Sequence, residues 1–357
     1  MKTGYIEGYY GKQLSFKERE FLINQMGSLG MSHYLYSPKE DAKHRMSWRE
    51  DYDQEFIDSF AGLIQCADKN HIEIIFGISP GNDFDFRSDY PILLSKFKRF
   101  IDLGLSSCCL LLDDLFKENS GKTHQEILNH LARDLNSIKL YAVPQVYSDQ
   151  VSQEKNIFAN KYLHDFLGGL DTSIALFFTG KKVVSKDYPT EYLKELKKLI
   201  HNRELIIWDN FYANDYCVPK IQFSEFCTID SEQRNHLDGV LINATGSLLL
   251  DQIYLELFSA GVLNYKNRKD ILASRNLPKA FYEIQHLFEF EIKSCNPTSD
   301  LENLGYLLWQ WNDPLKQEMY TYLHQLKQLL QEMLHGELQK DTLLKRFNIL
   351  RGDSNER

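Results

Sequence analysis

Two adjacent carboxylates close an unbroken apolar run: residues 108–112 read Cys-Cys-Leu-Leu-Leu, and Asp113 and Asp114 follow at once. Neighbouring strand residues point to opposite faces, so this pair can serve one site only where the strand has ended, which is where it stands. Carboxylates this close cannot both ionise freely. One is pushed up and the other held low, which leaves an acid and an anion together near neutral pH, the division of labour that glycoside cleavage needs. A lone Asp-Asp pair is more often a turn or a helix cap than a catalytic dyad. Its weight comes from its company.

Seven further short β-rich runs end in the same manner. Gly8, Tyr9 and Tyr10 follow residues 5–7, Lys39 follows residues 33–36, and Asn82 and Asp83 follow residues 72–78. Tyr147 follows residues 140–143, and Thr179 and Gly180 follow residues 174–178. Asp209, Asn210 and Asp215 follow residues 205–208, and Asn243 follows residues 240–242. Aromatic side chains among them (Tyr9, Tyr10, Tyr147, Trp208, Phe211, Tyr212, Tyr216) could stack on sugar faces, with ordinary packing favoured for Phe211 and Tyr212. A lysine such as Lys39, taken alone in a loop, is by default a solvated charge.

Segments of helical periodicity separate the runs. Ser15-Phe16-Lys17-Glu18 is a capping box opening a helix that Gly30 stops, and Phe56, Phe60, Leu63, Ile64 and Ala67 form one apolar stripe. No run alternates strictly between apolar and polar residues, as expected of parallel strands covered on both faces. Eight such units predict an α/β fold, a (β/α)8 TIM barrel over residues 1–261 whose chemistry sits at the C-terminal ends of the strands. After about residue 262 the β signal stops, and residues 280–292 and 315–334 are helical in period, which predicts an α-helical C-terminal domain over 262–357. The 357 residues suit this plan, since such a barrel takes about 250.

Composition excludes several classes. A net charge of −9 lacks the basic stripe that a nucleic-acid backbone requires. No run approaches the ~20 apolar residues of a membrane span, and the first residues carry no signal peptide, so no membrane partner and a cytoplasmic location are expected. Cys66, Cys108, Cys109, Cys217, Cys227 and Cys295 show no C-x-x-C spacing, which fits a reducing compartment. The eleven histidines are scattered, and no metal or other cofactor is expected.

Taken in order along the chain, Gly4-Tyr5-Ile6-Glu7-Gly8-Tyr9-Tyr10-Gly11, Tyr36-Ser37-Pro38-Lys39-Glu40-Asp41, Ile78-Ser79-Pro80-Gly81, Leu111-Leu112-Asp113-Asp114, Thr179-Gly180 with Val183-Val184-Ser185, Trp208-Asp209-Asn210 with Ala213-Asn214-Asp215-Tyr216, and Gly239-Val240-Leu241 with Asn243 form a specific set. The chain thereby resembles glycoside hydrolase family 84, the β-N-acetylglucosaminidases that include the protein O-GlcNAcases. The resemblance implies a retaining exo-enzyme on terminal β-linked GlcNAc of a glycan or glycoprotein. It also implies substrate-assisted catalysis, in which the 2-acetamido oxygen attacks the anomeric carbon to give an oxazoline, an exception to the two-carboxylate scheme.

It further implies that Asp113 accepts the acetamide N–H and stabilises developing positive charge, and that Asp114 is the acid and then the base. Tyr147 would orient the acetamide, while Thr179, Trp208 and Asn210 would line its methyl pocket. Gly8 and Lys39 would bind the 3-hydroxyl region, Asp215 and Asn243 the 4- and 6-hydroxyls, and Tyr216 would lie towards the leaving group. Three alternatives stand beside this reading: a glycan-binding protein without turnover, hyaluronidase-type endo-cleavage, and a barrel aldolase or isomerase using Lys39 as a Schiff-base amine.

Overall fold

In the computed structural model, residues 1–113, 120–215, 220–263 and 265–336 are described. Strands β1 (Lys2–Glu7), β2 (His33–Tyr36), β3 (Glu73–Ile78), β4 (Ser107–Leu111), β5 (Lys139–Val143), β6 (Ala175–Phe178), β7 (Leu205–Asp209) and β8 (Gly239–Asn243) pair in sequence order as a closed, all-parallel barrel. β8 returns to β1 with Lys2 opposite Gly239 and Ile6 opposite Asn243. The predicted barrel is therefore the observed one, with ends that differ by at most a residue except at β1, which begins at Lys2 where the run read from the sequence begins at Tyr5.

Helices α1 (Phe16–Ser28), α2 (Gln54–Lys69), α3 (Phe86–Ile101), α4 (Gly121–Asp134), α5 (Lys161–Leu167), α6 (Thr190–Leu199) and α7 (Ser231–Arg234) alternate with the strands. The capping box forms: Ser15 Oγ accepts the Glu18 N–H while the Glu18 carboxylate accepts the Ser15 N–H at 2.7 Å. Asp53 caps α2 and Asp85 caps α3 in the same sense.

Alternate strand residues divide between two environments. Ile6, Leu35, Ile75, Cys109, Leu111, Tyr141, Val143, Ala175, Phe177, Ile206, Trp208 and Leu241 fill one continuous buried cluster, the barrel interior. The intervening residues meet the helices: Phe76 stacks on Phe100 of α3 at 3.7 Å between ring centroids, and Tyr36 meets Phe60 of α2 edge-on at 5.3 Å. Glu7 also lies on this outer face, paired with Arg19 of α1 at 2.8 Å through both carboxylate oxygens and with the Tyr34 hydroxyl at 2.7 Å. These ionic groups are almost fully buried, and each has a hydrogen-bond partner among the others.

The chain divides into two compact units, residues 1–211 with 229–246, and residues 212–228 with the chain from 247 onward. The second contains α8 (Leu248–Val262), α9 (Arg268–Ala273), α10 (Lys279–Glu283), α11 (Pro297–Trp309) and α12 (Pro314–Leu334). Phe223, Phe281, Phe288 and Tyr322 join in one aromatic core there, with the Tyr322 hydroxyl donating to the Leu287 carbonyl at 2.7 Å. The Glu318 carboxylate accepts the Leu249 and Leu250 N–H groups, which satisfies the start of α8. Tyr212 is buried against Tyr254 at 4.6 Å, so the packing reading of this residue holds, and Phe211 is buried in the first unit.

Candidate active site at the barrel mouth

A simple parity rule selects the polar groups of the mouth. Ile6, Leu111, Phe177, Trp208 and Leu241 are interior residues, and two positions on stand Gly8, Asp113, Thr179, Asn210 and Asn243. Because side chains alternate along a strand, each of these five continues the inward face past the last packed layer. Glu7 and Asp209 have the opposite parity and serve the outer layer.

On one side of the mouth the groups are neutral and share one hydrogen-bonded network. The Gly8 N–H donates to Asn243 Oδ1 at 3.2 Å, and Asn243 Nδ2 donates to Asn210 Oδ1 at 3.0 Å. The Trp208 indole N–H donates to the same Asn210 oxygen at 3.1 Å, while Asn210 Nδ2 donates to the Val183 carbonyl at 2.8 Å. Four segments, the ends of β1, β7 and β8 and the loop after β6, are thus held by two amides. Gly8 is required by size: a Cβ there would lie 2.3 Å from the Trp208 ring. Trp208 also meets Phe177 edge-on at 6.0 Å, which fixes its plane.

Thr179 belongs to the neighbouring β5–β6 edge. Its N–H donates to the Tyr147 carbonyl at 3.1 Å, and its hydroxyl donates to the Lys182 carbonyl at 2.8 Å. With the hydroxyl so committed, Thr179 offers bulk and a methyl group rather than a donor. Tyr147 is partly buried against the interior cluster.

The other side is charged. Lys39 Nζ donates to Asp113 Oδ2 at 3.0 Å, with the lysine side chain only 4 % exposed and the aspartate 15 %. The default picture of Lys39 as a solvated loop charge is therefore corrected: burial beside a carboxylate holds it as an ion-pair donor. Such an ammonium is also unlike the lone desolvated amine that imine formation needs. Tyr10 is 46 % exposed, and its ring lies 6.0 Å from Lys39 Nζ, whereas Tyr9 is buried.

Behind the neutral side, Asp209 is fully buried; its Oδ1 accepts the Phe211 N–H at 2.7 Å, and the Tyr188 hydroxyl donates to its other oxygen. Burial pushes its carboxyl up to about 7, against the opposing hydrogen bonds. In the sequence Asp209 stands with the mouth residues that follow residues 205–208, and no local pattern marks Tyr188 as its partner. Nor does any pattern mark the Val183 and Lys182 carbonyls, which any residue type could supply.

Asp215 lies partly buried in the second unit. Asp114 and Tyr216 lie outside the described residues. Among the described residues no group of three or more His, Cys, Asp or Glu is arranged to hold a metal ion, and no helix is long and apolar enough to cross a membrane.

Fold and mouth together define a (β/α)8 barrel protein with an ion pair and an amide network at the C-terminal ends of its strands. The family described as beta-N-acetylglucosaminidase matches residues 3–291. The chain belongs to this family, one of glycoside hydrolases. It is 33 % identical to the Protein O-GlcNAcase of Mus musculus over 256 residues, covering 67 % of this chain and 27 % of that protein. The Rattus norvegicus Protein O-GlcNAcase matches at 33 % over 255 residues, again 67 % of this chain and 27 % of the relative. The chain thus spans about a quarter of the length of these curated relatives. Among solved structures, a mutant O-GlcNAc hydrolase of Thermobaculum terrenum superposes with a TM-score of 0.79 at 21 % identity, covering 98 % of this chain and 87 % of that one, which shows the shared fold.

Proposed function

We propose that this chain is a retaining exo-β-N-acetylglucosaminidase that cleaves terminal β-linked GlcNAc from a glycan or glycoprotein by substrate-assisted catalysis through an oxazoline. The observation that carries the reading is the Lys39–Asp113 ion pair, set on the same inward-facing mouth as the Gly8–Asn243–Asn210–Trp208 network. As the acetamide oxygen bonds to the anomeric carbon, positive charge grows on the amide nitrogen. A carboxylate already fixed in place stabilises that charge without reorganising at the moment of reaction. Asp113 has this role, accepting the acetamide N–H, and Asp114 protonates the leaving oxygen and later activates water.

Trp208, Asn210 and Thr179 close a small pocket around the acetamide methyl, and their committed hydrogen bonds support a rigid wall that rejects larger acyl groups. Tyr147 orients the acetamide. The Gly8 backbone and Lys39 hold the 3-hydroxyl region, Asn243 and Asp215 read the 4- and 6-hydroxyls, and Tyr216 faces the leaving group. The reaction uses no cofactor, and the protein acts in the cytoplasm on neither nucleic acid nor membrane; its net charge of −9 supports the first exclusion.

A chromogenic β-N-acetylglucosaminide should be hydrolysed in the presence of a chelator and without nucleotide. Asp114→Asn should depress turnover of substrates with poor leaving groups far more than of those with good ones, because only the former need the proton. Equal losses on both would remove the acid role from Asp114. Sugar binding by the unmodified protein without any hydrolysis would replace the enzyme by a glycan-binding protein.

A further inference from the structure

Lys39 stands on the loop between β2 and α2, residues 37–53, and that loop has unusual anchorage. Lys96, buried on α3, donates from its ammonium to three carbonyls of this one segment: Lys43 at 2.7 Å, Trp48 at 2.5 Å and Glu50 at 2.6 Å. The Tyr52 ring lies 4.9 Å from the same nitrogen. An ammonium has three protons and no acceptor capacity, so three converging carbonyls use it completely. Two more α3 side chains on the same helical face grip the loop. Asp89 accepts both Nε and Nη2 of Arg49 at 2.8 and 2.7 Å, and Arg99 donates to the Tyr52 carbonyl at 2.9 Å. None of these residues has a part in the proposed chemistry.

We propose that Lys96 is a positioning residue: by gathering the carbonyls of Lys43, Trp48 and Glu50 it locks the β2–α2 loop so that Lys39 is delivered to Asp113 ready to receive the sugar. The inference rests on the functional reading of Lys39 given above. The Asp41 carboxylate ties the near end of the loop by accepting the hydroxyls of Tyr36 and Tyr52 at 2.7 and 2.6 Å and the Lys43 N–H at 2.9 Å. His44 joins it to β3 through the Gly77 carbonyl at 2.8 Å. Loop geometry is thereby fixed from two sides, and the α3 side depends on the positive charge of Lys96.

The charged groups around Lys96 are Asp41, Glu50, Asp51 and Lys43 of the loop, and Arg99 of α3 stands beside Tyr52 and Asp51. Burial outweighs the carboxylates and brings the ammonium down to about 8. Above that pH the amine retains two protons for three carbonyls, and one anchor is released.

The test combines kinetics with proteolysis of the whole chain. Lys96→Met should lower kcat/KM about tenfold or more, the scale of loss that a small displacement of a positioning group produces. Lys39→Met should lower it at least as far, and the double variant should be no worse than Lys39→Met alone. Losses that multiply would show that Lys96 acts elsewhere and would overturn the proposal. Trypsin, which cuts after Lys43, Arg45 and Arg49, should cleave the loop faster in Lys96→Met than in the unmodified protein; equal rates would overturn the latch. If Lys39→Met leaves kcat/KM unchanged while the latch reads positive, it is the assignment of Lys39 that has failed. Should Lys96→Met not fold, the unmodified protein supplies the same measurement, since loop cleavage corrected with an unstructured peptide should rise between pH 7 and 9. Lys96→Arg, which keeps its charge, should abolish the rise, and an identical rise in both proteins would count against the proposal.

Discussion

The two sides of the barrel mouth solve the same problem by different means. Near β2 and β4 a full positive and a full negative charge face each other, Lys39 against Asp113, with both side chains largely out of water. Near β7, β8 and β1 the network among the described residues carries no formal charge: two amides, an indole and a backbone N–H interlock through bonds of 2.8 to 3.2 Å. A charged pair concentrates field at a point and suits a place where charge develops during a reaction. A neutral network supplies fixed dipoles and shape at little desolvation cost and suits a wall that must discriminate among neutral groups. On the proposed reading, the charged side meets the acetamide nitrogen, where charge develops, and the neutral side walls the acetamide methyl, which stays neutral.

The contrast can be broken most directly on the charged side. Asp113→Asn keeps the size and one acceptor but removes the anion, and kcat/KM should fall about 10²- to 10³-fold with the fold intact by circular dichroism. A loss under tenfold would mean that the charged side does not carry the chemistry. On the neutral side, Asn210→Ala deprives the Trp208 indole and Asn243 of their shared acceptor, and unfolding should become easier by about 1–3 kcal/mol, the cost of buried donors left unpaired. Denaturant midpoints check this. The same variant should admit larger N-acyl substrates, whereas Asp113→Asn should not, and a reversal of that pattern would exchange the roles of the two sides.

A pH-dependent effect belongs to the layer behind the neutral side. Asp209 is a carboxyl whose folded value is raised to about 7 from an ordinary 3.8, so the folded protein binds more protons than the unfolded chain between these limits. Its contribution to stability is fully present at low pH and is lost as pH rises through about 7. Asp209→Asn should flatten the dependence of the denaturant midpoint on pH between 5 and 8. Parallel curves for the two proteins would show that this carboxyl does not titrate there.

Much of this was legible in the amino-acid order. The apolar runs mark the strands because a parallel strand buried on both faces has no polar residue to spare, and the residue that first meets water is conspicuous. Such runs are uniform, however, and do not reveal which of two neighbours faces inward. Asp209 and Asn210 are equivalent in that respect until Trp208 is seen in the barrel interior, which sends Asn210 to the mouth and Asp209 to Tyr188. For the same reason Glu7 carries no sign in the sequence that its partner is Arg19, twelve residues on in a helix.

The sequence by itself determined the barrel, the order of its units and the residue types available at each strand end, because periodicity, capping and the change from apolar to polar are local properties. Only the tertiary structure decided that Lys39 is buried against Asp113, that two amides join four segments, and that Lys96 grips the loop from a separate helix. Those contacts link residues distant in the chain, and their geometry follows from closure of the sheet and from the parity of each strand within it, which no single segment contains.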